Sequence, residues 1–264
     1  GEMAKVIIRE LKEIQKEYGR ERRTALDNVA QAVVEEKPIE ETDVAVLIDR
    51  FSYGRCVDMS VFERNREAAE SECKRIIFCK NTDKLAIFTN TGQMHLVKVL
   101  DLPQGKFRDK GQPLDNVSNF DSGSEREIYI EALGNLKEKK LIFGTKTGML
   151  KVVAGSEFIV GKRTTAATKL AEGDELLTVA PLEEEETLVM QTAGNVFLRI
   201  DAATIPEKKK GAVGVRGIRL ETGDLLEEIH VLHPGDNPTV TVKGKTVYLN
   251  RLHIGNRDTK GVKK

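Results

Sequence analysis

A glycine-centred pair of short apolar runs recurs five times along this chain, and this repeat constrains the fold more than any other feature. In each copy a β-type run of four to six residues enters a turn, and a second run leaves it. The turn glycines are Gly54, Gly92, Gly148, Gly194 and Gly244, spaced by 38, 56, 46 and 50 residues. Glycine supplies the positive φ that a tight hairpin turn demands. A period in this range predicts a radial array of four-stranded units that bury their faces against one another.

A second element recurs with the hairpins. The runs GDELLTVAPL (residues 173–182) and GDLLEEIHVL (residues 223–232) both begin with Gly-Asp and continue as an apolar strand. Gly173 and Gly223 are 50 residues apart, the same interval that separates Gly194 from Gly244. The repeat therefore includes more than the hairpin, and we predict an all-β, propeller-like fold of five or six blades over residues 43–264.

The first segment follows a helical pattern instead. Ile7, Leu11, Ile14 and Tyr18 are spaced by four, three and four residues, which is an a/d heptad seam with Gly19 as a C-cap. Two heptads do not make a stable isolated coiled coil, so this seam needs a partner helix. We assign residues 1–26 to the end of a coiled-coil arm and residues 27–42 to an acidic linker. Because the chain starts Gly-Glu-Met, we expect the native polypeptide to extend upstream.

The formal net charge is zero, but the charges are segregated. Residues 172–186 hold seven acids and no base, whereas residues 204–220 hold five bases and one acid, and residues 243–264 seven bases and one acid. If equivalent loops share one side of a radial array, the basic loops form a band that can neutralise DNA phosphates without reading bases. The predicted DNA-binding residues are Lys106, Arg108, Lys151, Lys162, Arg163, Arg199, Lys208, Lys209, Lys210 and Arg216. The glycines Gly211, Gly214 and Gly217 are interpreted as letting main-chain N–H groups approach an anion.

Other chemistries find little support. Aromatic residues make up 5% of the chain and tryptophan is absent, which argues against a platform that stacks unpaired bases. His230 and His233 are three residues apart in a predicted strand, where they point to opposite faces, so we predict no metal site there. The acids Glu183 to Glu186 are interpreted as a solvated turn. Cys56, Cys73 and Cys79 form no CxxC pair, which favours a reducing, cytoplasmic setting. No apolar run is long enough to span a membrane.

The residues at the start of the chain resemble a known family. The segment VIIRELKEIQKEYGRERRTAL (residues 6–26) is similar to the end of the coiled-coil arm in the A subunits of gyrase and topoisomerase IV, the bacterial type IIA topoisomerases. Tyr18-Gly19 and residues 21–24 are the most specific part of the match. In that family the arm leads through an acidic linker into a β-pinwheel, a disc whose blades exchange strands and whose basic rim binds and bends duplex DNA.

The resemblance implies partners and a subtype. In that family the domain binds duplex DNA and is joined to the rest of the A subunit, which assembles with the B subunit as A2B2. The assembly is associated with the nucleoid. The metal-binding carboxylates and the ATPase belong to the B subunit, so ATP and Mg are expected there and no cofactor here. None of Tyr18, Tyr53, Tyr129 and Tyr248 stands in the context of the family's catalytic tyrosine, so we assign no catalytic residue to this chain.

Gyrase A subunits carry a box of the form QRRGGKG, associated with negative supercoiling. The nearest run here, KKKGAVG (residues 208–214), lacks the leading Gln and the middle Gly and lies in a late repeat. This favours topoisomerase IV, whose main task is decatenation and relaxation, with gyrase as the alternative. An alternative of another class is a propeller that serves as a protein-interaction scaffold.

Overall fold

The computed structural model describes residues 2–19 and 38–264. The chain divides into two compact units, residues 1–39 and residues 40–264. In the first, α1 (Glu2–Tyr18) confirms the predicted helix, and Ile7, Leu11 and Ile14 of its seam are exposed. Residues 21–24 and most of the predicted linker lie outside the described residues. No helix in the described part of the chain is long and apolar enough to cross a bilayer.

The second unit is built almost entirely from short strands, which confirms the predicted all-β class. The strands are β1 (Asp43–Asp49), β2 (Tyr53–Asp58), β3 (Cys73–Lys80), β4 (Lys84–Thr89), β5 (Gln93–Lys98), β6 (Gln112–Pro113), β7 (Glu127–Ala132), β8 (Lys140–Thr145), β9 (Met149–Ala154), β10 (Thr164–Ala166), β11 (Leu176–Leu182), β12 (Thr187–Thr192), β13 (Val196–Asp201), β14 (Val215–Arg216), β15 (Leu226–Leu232), β16 (Thr239–Val242), β17 (Lys245–Tyr248), β18 (Ile254–Gly255) and β19 (Val262–Lys263). The helices of this unit are α2 (Met59–Arg64), α3 (Arg66–Glu72), α4 (Leu114–Val117) and α5 (Leu133–Leu136).

The strands form four blades and a further hairpin. Blade 1 has the strand order β3–β1–β2–β6, blade 2 β7–β4–β5–β10 and blade 3 β11–β8–β9–β14. Blade 4 has the order β15–β12–β13–β18, with β19 also paired to β13, and β16–β17 form a two-stranded sheet. All five predicted hairpins are therefore present, and within residues 38–264 four of them are completed into blades.

Each blade is completed by a strand from the following repeat. After the hairpin β4–β5 of blade 2, the chain crosses back, and β6 pairs with β2 of blade 1. In the same way, the chain returns after each later hairpin to the preceding blade: β10 pairs with β5, β14 pairs with β9, and β18 and β19 pair with β13. This is the strand exchange of a β-pinwheel. We call the returning stretches, residues 99–113, 155–166, 202–216 and 249–263, the crossover segments.

The turn geometry corrects the assignment of two glycines. Gly92 and Gly148 have positive φ in their hairpin turns, as predicted, but Gly54 and Gly194 do not. In those two hairpins the equivalent turn position is occupied by Ser52 and Asn195, each with a φ of 61°. The last hairpin has positive φ at both Lys243 and Gly244, as a two-residue turn of the primed type requires.

The blades pack face to face. One buried cluster joins β1 to β4 across the interface of blades 1 and 2, a second joins β4 to β8, and a third joins β8 and β9 to β12 and β13. The outer face of blade 1 is covered by α2 and α3, which the sequence pattern did not predict, and that of blade 4 by β16 and β17. Each sheet thus buries both faces, as a repeat that cannot fold alone must do.

The edges of the sheets are not equivalent. The strands β3, β7, β11 and β15, at one edge of each blade, contact one another in succession. In a radial array only the strands nearest the axis approach each other in this way. The crossover strands lie at the opposite edge of every sheet. The crossover segments therefore run along the perimeter.

Candidate nucleic-acid interface

Eight of the ten predicted DNA-binding residues lie in three crossover segments. Lys106 and Arg108 follow the hairpin of blade 2, Lys162 and Arg163 that of blade 3, and Lys208–Lys210 and Arg216 that of blade 4. The structure brings these residues to the same topological position in successive repeats. Residues 249–263 add a fourth segment with four bases, Arg251, Arg257, Lys260 and Lys263, and one acid.

These cations are mostly on the surface. Lys106, Arg108, Lys162, Arg163, Lys209 and Arg216 are exposed, and Lys208 and Lys210 are half-buried. The Lys209 side chain pairs with Glu157 at 3.1 Å yet remains 90% exposed. Arg216 lies 3.6 Å from Asp258, and its side chain is 57% exposed. Such surface pairs contribute little, so both cations can exchange their carboxylate for a phosphate.

Neighbouring crossover segments contact each other around the perimeter. Glu157 accepts a hydrogen bond from the Lys210 main-chain N–H at 2.6 Å and so joins the segment at 155–166 to the next one. The Arg257 guanidinium donates to the Arg216 carbonyl at 2.9 Å and joins the third segment to the fourth. These contacts join the second, third and fourth crossover segments in series, and we call the basic loops of the four segments the basic band.

Two acids within the band have structural partners. Asp109 accepts a hydrogen bond from the Lys106 main-chain N–H at 2.7 Å, and Glu207 pairs with Lys140 at 2.8 Å. Away from the band, the acids of the Gly-Asp motifs hold the hairpin turns. Asp174 accepts from the Thr147 hydroxyl at 2.6 Å, and Asp224 accepts from the Gly194 N–H at 3.1 Å. The recurring Asp is thus a residue that stabilises a hairpin turn.

The structure corrects the expectation for Lys151, which is only 2% exposed and cannot reach a phosphate. Its ammonium donates to the carbonyls of Lys210 and Ala212, each at 2.7 Å, and lies 3.4 Å from that of Lys209. Burial lowers the pKa of Lys151 to about 8. This side chain anchors the basic loop from beneath.

Arg199 is corrected in the same way. It is half-buried, and its Nη1 donates to the carbonyl of Asn250 at 2.6 Å and to that of Leu252 at 3.3 Å. In blade 1, Arg55 Nε donates to the Phe107 carbonyl at 3.0 Å. In three hairpins, therefore, a cation in the second strand binds the crossover segment that returns to the same blade. Sequence reasoning missed Arg55, although a lone cation within an apolar strand was the available signal.

The glycines of residues 208–217 also have a different role from the one predicted. A Cβ on Gly214 would lie 2.5 Å from the Leu150 carbonyl oxygen, and one on Gly217 would lie 2.5 Å from the Leu150 Cδ1. Gly111 and Gly261 approach β2 and β13 with similar closeness. These glycines let the crossover segment lie directly on the blade. Gly211 has open space around it and is the one of the three whose position still suits an approaching anion.

The strand-exchanged sheets and the basic perimeter define the class: a β-pinwheel domain. Residues 139–183 and 186–232 match the family described as DNA gyrase C-terminal domain, beta-propeller, and each match spans a hairpin, its crossover segment and the following axial strand. Over these two stretches the chain is similar to the C-terminal domain of the DNA gyrase A subunit.

Two relatives match nearly the whole chain. The chain is 26% identical to the DNA gyrase A subunit of Lawsonia intracellularis over 97% of its length and 34% of the relative's. It is 24% identical to the corresponding gyrase subunit of Staphylococcus aureus over 96% of its length and 31% of the relative's. The chain thus spans about a third of the length of these relatives.

Two solved structures have the same fold. The C-terminal domain of DNA topoisomerase IV matches 85% of this chain and 73% of its own, with a TM-score of 0.74 at 19% identity. The C-terminal domain of Escherichia coli ParC matches 84% and 94%, with a TM-score of 0.64 at 18% identity.

Proposed function

We propose that the crossover segments bind the backbone of duplex DNA without sequence specificity and bend it along the perimeter of the domain. The observation that carries this proposal is the recurrence of exposed cations at the same blade position in four successive repeats. Phosphate contacts release condensed counterions, so affinity falls steeply as salt rises. Bending a short duplex sharply costs several kcal/mol, and contacts from successive blades offset that cost.

We propose further that this domain belongs to the A subunit of topoisomerase IV, where it presents DNA for ATP-dependent decatenation and relaxation. The degenerate run at residues 208–214, in the third crossover segment, supports this over gyrase. Gyrase remains the second candidate, because the relatives named above are gyrase A subunits. The partners are then duplex DNA, the rest of the A subunit, and the B subunit, which would supply the ATP and Mg chemistry.

Replacing Lys208, Lys209 and Lys210 with alanine tests the interface. The change leaves the main-chain bonds to Lys151 and Glu157 available, so it removes charge and keeps the loop's anchors. We expect affinity for every duplex to fall about equally and the slope of log K against log salt to flatten by up to about 3. Fluorescence anisotropy of a labelled duplex over a salt series measures both quantities.

The matched control removes Lys5, Lys12 and Lys16, three exposed lysines of α1, and changes the net charge by the same amount. Equal loss in the two triple variants would mean that only net charge matters and would contradict a perimeter site. A wild-type chain that ignores linear duplex at moderate salt would favour the protein-interaction scaffold.

Bending and wrapping are separated by religating a nicked circle in the presence of the domain. Wrapping leaves a change in linking number whose sign gives the handedness of the path, whereas simple bending leaves none. A strong positive change would favour the gyrase alternative, because strand passage converts a wrapped positive crossing into a negative one, and no change would favour the topoisomerase IV assignment.

A further inference from the structure

A turn and a strand end meet at one side of blade 4. The turn between β11 and β12 comprises residues 183–186, and His233 directly follows β15. Because Thr187 of β12 pairs with Leu232 of β15, Glu186 and His233 are brought side by side. The His233 Nδ1 lies 2.7 Å from the Glu186 Oε1 and 3.7 Å from the Glu183 Oε2. One ligand atom from each of the three residues lies within 4.8 Å of the others.

Glu186 is the unusual member of this cluster. It is 1% exposed, and neither of its carboxylate oxygens meets a donor in hydrogen-bonding geometry among the described residues. A buried carboxylate without a well-formed hydrogen bond costs several kcal/mol unless it pairs with a nearby nitrogen, such as the His233 Nδ1 at 2.7 Å, or coordinates a cation. The sequence interpretation of Glu183 to Glu186 as a solvated turn is wrong for Glu186, although Glu183, Glu184 and Glu185 are exposed.

The His233 ring is held beside the Glu186 carboxylate. Its main-chain N–H donates to the Asp236 Oδ2 at 2.9 Å, which fixes the turn that carries the ring. His230, its neighbour in the HVLH run, bonds instead to Gln191 at 3.1 Å. The two histidines therefore have different partners. The partners of His233 come from another part of the chain, and the spacing of HVLH could not show them.

We propose that Glu183, Glu186 and His233 bind a divalent transition-metal cation of the Zn²⁺ class. One imidazole nitrogen with two carboxylates suits Zn²⁺, and the fourth position remains for water. Ligand atoms about 2.1 Å from a tetrahedral ion are about 3.4 Å apart. The distances of 2.7 and 3.7 Å lie on either side of that value, so small side-chain rotations complete the site.

The bound ion would join two parts of the fold. The ligands link the entry to β12 in blade 4 with the segment that leads from β15 to the last hairpin, β16–β17. That hairpin packs on blade 4 through a small cluster that includes Val189, Val242 and Val247. A cation that binds only the folded chain stabilises it by mass action. The site lies outside the basic band and does not depend on the proposed DNA binding.

Isothermal titration of the chelator-stripped full chain with ZnCl₂ tests the proposal. We expect saturable binding at one ion per chain and a rise in Tm. The absorption of a Co²⁺-loaded sample should report a four-coordinate nitrogen–oxygen site. His233→Asn and Glu186→Gln should each weaken binding at least tenfold, because each removes one of three ligands.

Glu184→Gln is the matched control, since it removes the same charge from the same turn at an exposed position outside the cluster. Binding that survives E184Q and fails in E186Q supports the site. Equal weakening in both variants would indicate diffuse attraction to acids and would overturn it, as would the absence of saturable binding by the wild type. If E186Q does not fold, Glu183→Gln, whose side chain is 72% exposed, replaces it in the same comparison.

Discussion

Lys151 offers the sharpest test of how the basic loop is held, because it supports the loop without touching the solvent. Replacing it with methionine keeps the apolar stem and removes the ammonium, leaving the carbonyls of Lys209, Lys210 and Ala212 without their donor. A hydrogen bond from a charged donor contributes about 1.5–3 kcal/mol, and two of these contacts are 2.7 Å long. Loss of the desolvated charge offsets part of that sum.

We therefore expect Lys151→Met to reduce the free energy of unfolding by only about 1–3 kcal/mol. The local stability of the loop should decrease by more than this, because the loop has few internal hydrogen bonds. Hydrogen exchange of the amides of residues 208–212 should accelerate. DNA affinity should fall about tenfold, equivalent to about 1.4 kcal/mol.

The control is Ile87→Val, a core change between blades 1 and 2 that costs about 1 kcal/mol and leaves the loop alone. Urea denaturation measures the stability of both variants, and anisotropy measures their DNA affinity. If folded K151M binds duplex as well as I87V does, the anchor does not position the loop and the reasoning fails.

The same side chain predicts a pH dependence. Burial depresses the pKa of Lys151 to about 8 in the folded chain, below the ordinary lysine value of 10.5. Between these two values the unfolded chain binds more protons, so this residue makes the free energy of unfolding increase as pH rises from about 8 to 10.5. K151M should lack that increment. Identical pH profiles for the two proteins would show that the ammonium is not desolvated as the structure indicates.

Two further changes probe the packing of the blades. Gly214→Ala should cost about 2 kcal/mol, because its Cβ would meet the Leu150 carbonyl at 2.5 Å, whereas Gly211→Ala in the same loop should cost under about 0.5 kcal/mol. Equal Tm values for these two alanine variants would refute the close approach. Glu127→Gln should cost about 2 kcal/mol, since the buried Glu127 carboxylate pairs with Lys74 and with Arg75, the latter at 3.0 Å. Urea denaturation measures the free energy of unfolding, and Glu72→Gln at an exposed position is the control. A loss of stability in Glu127→Gln no larger than in the control would contradict the predicted contribution of the ion pairs.

The periodic part of the fold was predictable because local chemistry repeats with it. Apolar alternation and turn residues determine a hairpin within about a dozen residues, so five copies identified five hairpins. The turn glycines were predicted correctly in only three of the five hairpins. Ser52 and Asn195 adopt the left-handed conformation at the same turn position as Gly92 and Gly148. A small polar residue can replace glycine there at modest cost, which the pattern alone did not show.

Residue roles were harder to predict because they depend on contacts between repeats. Lys151 and Lys209 are both lysines in a basic region, yet only the pairing of β14 with β9 places one beneath the other. Similarly, Glu186 differs from the exposed Glu184 only because β12 pairs with β15. The helices α2 and α3 were missed since they interrupt the repeat between β2 and β3 and share none of its periodicity.

Strand exchange makes every blade depend on the repeat that follows it. Cutting the chain after Leu232 would remove the hairpin β16–β17, and it would also strip β13 of β18 and β19 and expose the edge of blade 4. During synthesis a blade stays open at its outer edge until the next hairpin has left the ribosome. In evolution such a domain can gain or lose a repeat only if every blade still receives its returning strand. Recombination between a returning strand and the corresponding strand of another repeat meets this condition.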